Sequence, residues 1–173
     1  ILNGPHLILR LSLLNSSGSP MPAGFGWHPY FSRALTSSGE PVHLHFALDG
    51  AYPDANDTRI PSGPLQPLAP HQDFSQARAL DADNFLDTCY YGFNGGSITW
   101  PPSGGRPRLN ATESCKHLIL YNPTGKTYFA VEPVTNANNG VNLLAQNDPT
   151  CGTIALQPGE ALTAECTLSL ENL

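Results

Sequence analysis

Ala161-Leu162-Thr163-Ala164-Glu165-Cys166-Thr167-Leu168-Ser169-Leu170 alternates along its whole length, with Leu162, Ala164, Cys166, Leu168 and Leu170 set against Thr163, Glu165, Thr167 and Ser169. Side chains of extended backbone point to opposite faces in turn, so period two predicts a strand with one buried face. Upstream the same period recurs: Leu7, Leu9, Leu11 and Leu13 alternate with Ile8, Arg10 and Ser12, and Val42, Leu44, Phe46 and Leu48 with His43, His45 and Ala47. Ser97 to Trp100, His117 to Tyr121 and Thr127 to Glu132 read as further strands. Asn15-Ser16-Ser17-Gly18-Ser19-Pro20 turns the chain, and Ala51 to Pro70, punctuated by Pro53, Pro61, Pro64 and Pro67, predicts a long connection with no element of its own. Ser75 to Leu80 and Val141 to Ala145 are predicted as single helical turns. The fold class is all-β, an antiparallel β-sandwich.

The chain has 173 residues, enough for a single domain over residues 1–173 with a real core. Its 14 acidic against 8 basic side chains give a net charge of −6, which argues against a nucleic-acid groove or an anionic membrane surface and disfavours a phosphorylated substrate. No apolar run reaches the length of a membrane span, and the first residues lack the pattern of a signal peptide. The chain begins at Ile1 and opens almost at once into a strand pattern, so the start of the gene product is expected to lie upstream. Cys89, Cys115, Cys151 and Cys166 form no C-x-x-C pair and no metal-ligand spacing, which points to free thiols in a reducing, cytoplasmic compartment. Sequons at Asn15, Asn56 and Asn110 are what an Asn- and Ser-rich composition gives by accident.

Chemistry concentrates in Met21-Pro22-Ala23-Gly24-Phe25-Gly26-Trp27-His28-Pro29-Tyr30-Phe31. A residue before proline is biased toward extended backbone, so the exit direction of the His28 imidazole is constrained. Trp27, Tyr30 and Phe31 offer flat apolar faces of the kind a sugar ring stacks on, and His28 is a candidate acid or base. A packed histidine satisfied by a carbonyl is the competing reading. Glu132, after an apolar run and before Pro133, is placed at a strand's mouth; partial desolvation there favours a raised pKa and a general-base role, against the plainer alternative of a solvated edge glutamate. Asn136, Asn138, Asn139 and Asn142 carry amides that suit sugar hydroxyls, though they equally mark turns. Asp87, wedged between Phe85-Leu86 and Cys89-Tyr90-Tyr91, needs a donor that a hydroxylated ligand or a backbone N–H could supply. His43 and His45 point to one side of a strand, but no third ligand stands at recognisable spacing, so no metal is assigned.

Three segments resemble motifs of the aldose 1-epimerase (galactose mutarotase) family: Gly26-Trp27-His28-Pro29-Tyr30-Phe31, Phe85-Leu86-Asp87-Thr88-Cys89-Tyr90 and Phe129-Ala130-Val131-Glu132-Pro133-Val134-Thr135-Asn136, in the family's order. Thr58-Arg59-Ile60-Pro61-Ser62-Gly63 and Leu156-Gln157-Pro158-Gly159-Glu160 look like the family too. The resemblance implies a mutarotase-like supersandwich and a cofactor-free interconversion of the α and β anomers of a free hexose. In that chemistry His28 is the acid, Glu132 the base on the opposite side of the sugar, and Asp87 the residue that orients it. Family members are longer, and positions matching the sugar-binding Arg and His of their N-terminal part are absent here. The resemblance therefore implies the C-terminal portion of the domain, whose unpaired strand edges favour association into a homo-oligomer. A carbohydrate-binding protein without catalysis, or an inactive fragment, stays open as the alternative.

Overall fold

Strands that each bury one face must also pair their backbone groups, and here they do so in two facing antiparallel sheets. The computed structural model describes residues 1–36, 41–101 and 103–170. In chain order the elements are β1 (Leu2–Asn3), β2 (His6–Leu14), β3 (Met21–Ala23), β4 (Tyr30–Ser32), β5 (His43–Phe46), β6 (Gly50–Ala51) and β7 (Arg78–Ala79). They continue with β8 (Leu86–Tyr91), β9 (Gly96–Thr99), β10 (Pro107–Ala111), β11 (His117–Asn122), β12 (Tyr128–Val134), α1 (Gly140–Ala145), β13 (Ile154–Leu156) and β14 (Ala161–Leu170). The larger sheet runs β1-β2-β14-β10-β9-β5-β7, the smaller β4-β12-β11-β8-β6, and β13 with β3 forms a two-stranded ribbon.

Every predicted strand forms, and so does the helical turn of α1. The long connection after Ala51 is without strands of its own apart from a bridge between Ala51 and Gln66. The helical turn expected over Ser75 to Leu80 does not form: Arg78 and Ala79 pair with Leu44 and His43 as an edge strand. Burial of Phe74 and Leu80 on either side of this edge pulls the backbone straight, and the Arg78 guanidinium lies over the Phe74 ring at 5.3 Å. β8 and β10 were not predicted. In β8 Leu86, Thr88, Cys89 and Tyr90 are all buried, so the period-two signal is erased by cover on both faces.

The core fills the space between the sheets. Leu44, Phe46, Ile98 and Leu109 from the larger sheet meet Tyr90, Leu118, Leu120, Phe129 and Val131 from the smaller one. Because side chains alternate, the opposite face of the smaller sheet carries Asp87, Cys89 and Tyr91 from β8, His117, Ile119 and Tyr121 from β11, and Ala130, Glu132 and Val134 from β12. A second cluster of Tyr52, Cys89, Ala137, Leu143 and Cys151, built from the loops and α1, covers part of that face. Asn15 is fully buried at the end of β2; its amide N–H groups donate to the carbonyls of Ser19 and Leu156, and its Oδ1 accepts from the backbone N–H and hydroxyl of Ser17. Its sequon is therefore a structural knot in the folded chain, not an exposed glycan acceptor.

Candidate active site

The segment before β4 is drawn onto β12 by the glycines of the Met21–Phe31 stretch. A Cβ on Gly26 would lie 2.2 Å from Val134 Cγ1, and one on Gly24 would lie 2.0 Å from Asn136 Oδ1, so only glycine lets the two backbones approach this closely. Trp27 N–H donates to the Pro133 carbonyl at 3.0 Å and Thr135 N–H to that of Phe25 at 2.8 Å. Gly26 bridges Val134 and Tyr30 pairs with Ala130; that single register sets His28 opposite Glu132. His28 Nε2 lies 3.2 Å from Glu132 Oε1.

Glu132 is not at a strand's mouth. β12 runs on to Val134 and is flanked by β4 and β11, so the carboxyl sits inside the sheet with 5% of the residue exposed. Burial, reinforced by the Asp87 carboxylate, pushes its pKa up to about 7, and this disposes of the solvated edge glutamate. The expected arrangement of acid and base on opposite sides of a sugar also changes. The two side chains touch directly and leave no room for a ring between them, because they are a cross-strand pair on one face of one sheet.

Asp87 pairs across β11 through Tyr121 with Ala130, while Glu132 and Cys89 both pair with Ile119, so the two carboxylates stand on the same face two strands apart. Within the chain, Asp87 is met by the Arg59 guanidinium, whose Nε donates to Oδ2 at 2.5 Å. Arg59 also bonds Asp57 and Asp54 and lies over the Phe85 ring at 5.4 Å. Hydrogen bonds to Asp57 and Asp87 hold its pKa well above the usual guanidinium value. Its backbone is left-handed with φ 63°, a costly conformation for a side-chain-bearing residue, held by the Arg59 N–H bond to Asp54 at 2.8 Å. Beside it Asn138 donates to the Arg59 carbonyl at 3.0 Å. The cleft lined by Tyr52, Arg59, Asp87, Cys89 and Asn138 holds about 20 Å³, room for a water but not a sugar.

The remaining candidates divide. Tyr30 is 58% exposed beside the pair, its ring centroid 4.6 Å from that of His28 and 5.2 Å from that of Tyr128, so the site keeps an open aromatic wall. Trp27 packs on two core clusters, on the inward side of the segment as alternation demands, which corrects the expectation that its face is free for a sugar. Asn136 is committed locally: its amide donates to the Ala137 carbonyl at 2.8 Å and its Oδ1 accepts from the Thr135 hydroxyl at 3.2 Å. Arg59 was missed as a site residue; its signal in the sequence was a cation set among Asp54 and Asp57 in a chain poor in basic side chains. Among the described residues, no three His, Cys, Asp or Glu side chains gather as metal ligands, and no helix is long and apolar enough to cross a membrane.

The family model described as aldose 1-epimerase matches residues 2–169. The uncharacterized protein YphB of Escherichia coli (strain K12) is 25% identical over 184 residues, which cover 98% of this chain and 58% of that protein. A crystal structure of a candidate aldose 1-epimerase from E. coli K12 superposes with a TM-score of 0.83 at 24% identity, over 99% of this chain and 58% of that one. A galactose mutarotase-like protein from Clostridium acetobutylicum gives a TM-score of 0.83 at 20% identity, over 96% and 52%. The chain thus has the fold of these proteins and spans little more than half their length.

Proposed function

The chain belongs to the aldose 1-epimerase family, and from that premise we propose that it interconverts the α and β anomers of a free hexose such as glucose or galactose, without a cofactor. Glu132 takes the proton from the C1 hydroxyl as general base. His28 delivers a proton to the ring oxygen, the bond between C1 and that oxygen breaks, and the open-chain aldehyde forms. Rotation about the C1–C2 bond presents the other face of the carbonyl, and the same groups, with their protons exchanged, close the ring again. Asp87, held by Arg59, accepts a hydrogen bond from a sugar hydroxyl, and Tyr30 offers an apolar wall.

The observation that carries this reading is the buried carboxyl of Glu132, poised by desolvation at about 7 and 3.2 Å from an exposed imidazole. A base with a pKa near the working pH combines a useful ionised fraction with real driving force for proton abstraction. A structural role does not need that combination. The low count of 8 basic side chains favours a neutral sugar over a phosphorylated one.

The test is NMR anomeric exchange spectroscopy on glucose and galactose with the chain and its Glu132→Gln variant. Acceleration over buffer that disappears in the variant supports catalysis by Glu132. Sugar lines broadened without exchange would replace it with a second reading, sugar binding without turnover, which the 58% coverage of the relative favours.

A further inference from the structure

Cys115 and Cys166 take no part in the proposed reaction, and they are neighbours. Cys166 lies on β14 opposite Ala111 of β10 and Leu9 of β2. Immediately after β10 the chain makes a tight turn, closed by the Cys115 N–H bond to the Thr112 carbonyl at 2.9 Å, that folds Cys115 back over this position. The turn is fastened to β14 at three points: Thr112 N–H to the Glu165 carbonyl at 2.9 Å, Glu165 N–H to the Thr112 hydroxyl at 3.1 Å, and the Ser114 hydroxyl to the Thr163 carbonyl at 3.0 Å. Between them the two thiols and Ala164 form a small buried cluster, with Leu9, Phe25 and Trp27 packed on it. Cys115 is 2% exposed and Cys166 is 1% exposed, but Thr112, Glu113 and Lys116 around Cys115 are exposed, so that thiol lies one layer below solvent.

We propose that Cys115 and Cys166 are an oxidisable pair, converted to a disulfide by a peroxide, which joins the turn before β11 to β14 and so ties the two sheets together. The Cys115 thiolate attacks one peroxide oxygen; the O–O bond breaks and a sulfenic acid forms. Cys166 sulfur then attacks that sulfur, the S–O bond breaks, and the S–S bond forms with loss of water. Two thiols lose two electrons and two protons, and one hydrogen peroxide becomes two waters. The order of attack follows from position: Cys115 lies under the exposed Thr112, Glu113 and Lys116, whereas Cys166 sits within the sheet between β10 and β2. The hydrogen bond from Cys166 holds Cys115 below the ordinary thiol value, whereas the same contact pushes Cys166 up.

The other two thiols are engaged differently. Cys151 donates weakly to the Thr153 carbonyl at 3.7 Å, and burial pushes Cys89 up to about 11, against a backbone hydrogen bond from Asn138. These two thiols share the loop cluster that covers the opposite face of the smaller sheet, and they serve as the internal comparison. Trp27, next to His28, packs on the reactive pair, so the cross-link lies beneath the segment that carries the candidate acid.

The experiment treats the intact folded chain with hydrogen peroxide, alkylates the remaining thiols and maps peptides without reduction. The expected result is a loss of about 2 mass units with a single linked peptide joining Cys115 to Cys166, while Cys89 and Cys151 are recovered alkylated. Cross-linking raises the melting temperature by on the order of 10 °C, reversed by dithiothreitol. In Cys166→Ser, Cys115 stops at the sulfenic acid and is trapped by dimedone; if that variant does not fold, the wild-type map decides alone. A link to Cys89 or Cys151, oxidation of Cys115 to sulfinic acid with no link, or four thiols still free after peroxide has oxidised an exposed control thiol would each overturn the proposal.

Discussion

His28 stands directly across the sheet from Glu132, its side chain 51% exposed while that of Glu132 is 7% exposed, and the two meet at 3.2 Å. The imidazole is thus the exposed member of the pair and the carboxyl the buried one. A buried acid with a second carboxylate on the same face is a costly thing to ionise, and the cost is measurable.

Folding raises the Glu132 pKa from 4.5 to about 7, so the native chain holds this proton more tightly than the unfolded one. The associated stability is fully present below the unfolded value and is lost as pH rises through the folded one, a change of about 3 kcal/mol. Urea denaturation at pH 5 and pH 8 reads it. Glu132→Gln should flatten the difference and leave the variant more stable than the wild type at pH 8.

The rate of anomer exchange should move with pH in the opposite sense. As general base Glu132 must be ionised, so the acid limb of kcat/KM is expected to fall tenfold for each unit below about 7. A flat profile between pH 5 and pH 8 would remove Glu132 from the base's role.

Arg59→Met removes the cation that holds Asp87. The pair is partly solvated, with 35% and 21% of the two side chains exposed, so the stability loss should be only about 1 kcal/mol. Sugar affinity should suffer more than folding, because Asp87 loses its fixed orientation. A KM raised at least about tenfold is expected, and adding Asp87→Asn to the variant should cost little further. Full additivity in that cycle would show that Arg59 does not act through Asp87.

The sequence made the strands legible wherever one face is buried and the other wet, as in β2, β5 and β14. It hid β8, because the core lies on one side of Cys89 and Tyr90 and the loop cluster on the other. His28, Glu132 and Asp87 could each be picked out by local chemistry and by resemblance. Their mutual geometry could not, since it depends on pairing between residues about a hundred positions apart, and Glu132 gives no sign in its own strand that the segment before β4 will cover it. Arg59 was obscure for a related reason: its partner Asp87 is brought to it by a proline-rich connection that has no periodicity to read.

Gly26→Ala tests the close approach that creates the His28–Glu132 pair. The new methyl would meet Val134 Cγ1 at 2.2 Å, with the Pro133 carbonyl 3.2 Å away. The segment must lift, at about 2 kcal/mol in stability and a larger proportional loss of exchange rate. Adding Val134→Ala should recover part of both, since it removes the methyl that is struck. Failure of that rescue in both readouts would count against steric placement of His28.

Asn15→Asp keeps the shape of a fully buried side chain and reverses its chemistry. Two donors aimed at the Ser19 and Leu156 carbonyls become a carboxylate oxygen facing them. A loss of about 3 kcal/mol or more is expected by chemical denaturation at pH 8, shrinking as pH falls and the acid takes up a proton.

The pairing that seats His28 also contains a built-in weakness. In the register that joins this segment to β12, Trp27 faces Pro133 and Pro29 faces Val131, one proline on each side of the His28–Glu132 pair. Proline has no N–H, so each of these pairs can form at most one of its two rungs, and Trp27 keeps a single bond, to the Pro133 carbonyl. The imidazole is therefore mounted on a latch fastened at half strength. Lifting the segment from β12 costs fewer backbone hydrogen bonds than separating an uninterrupted strand pair of the same length.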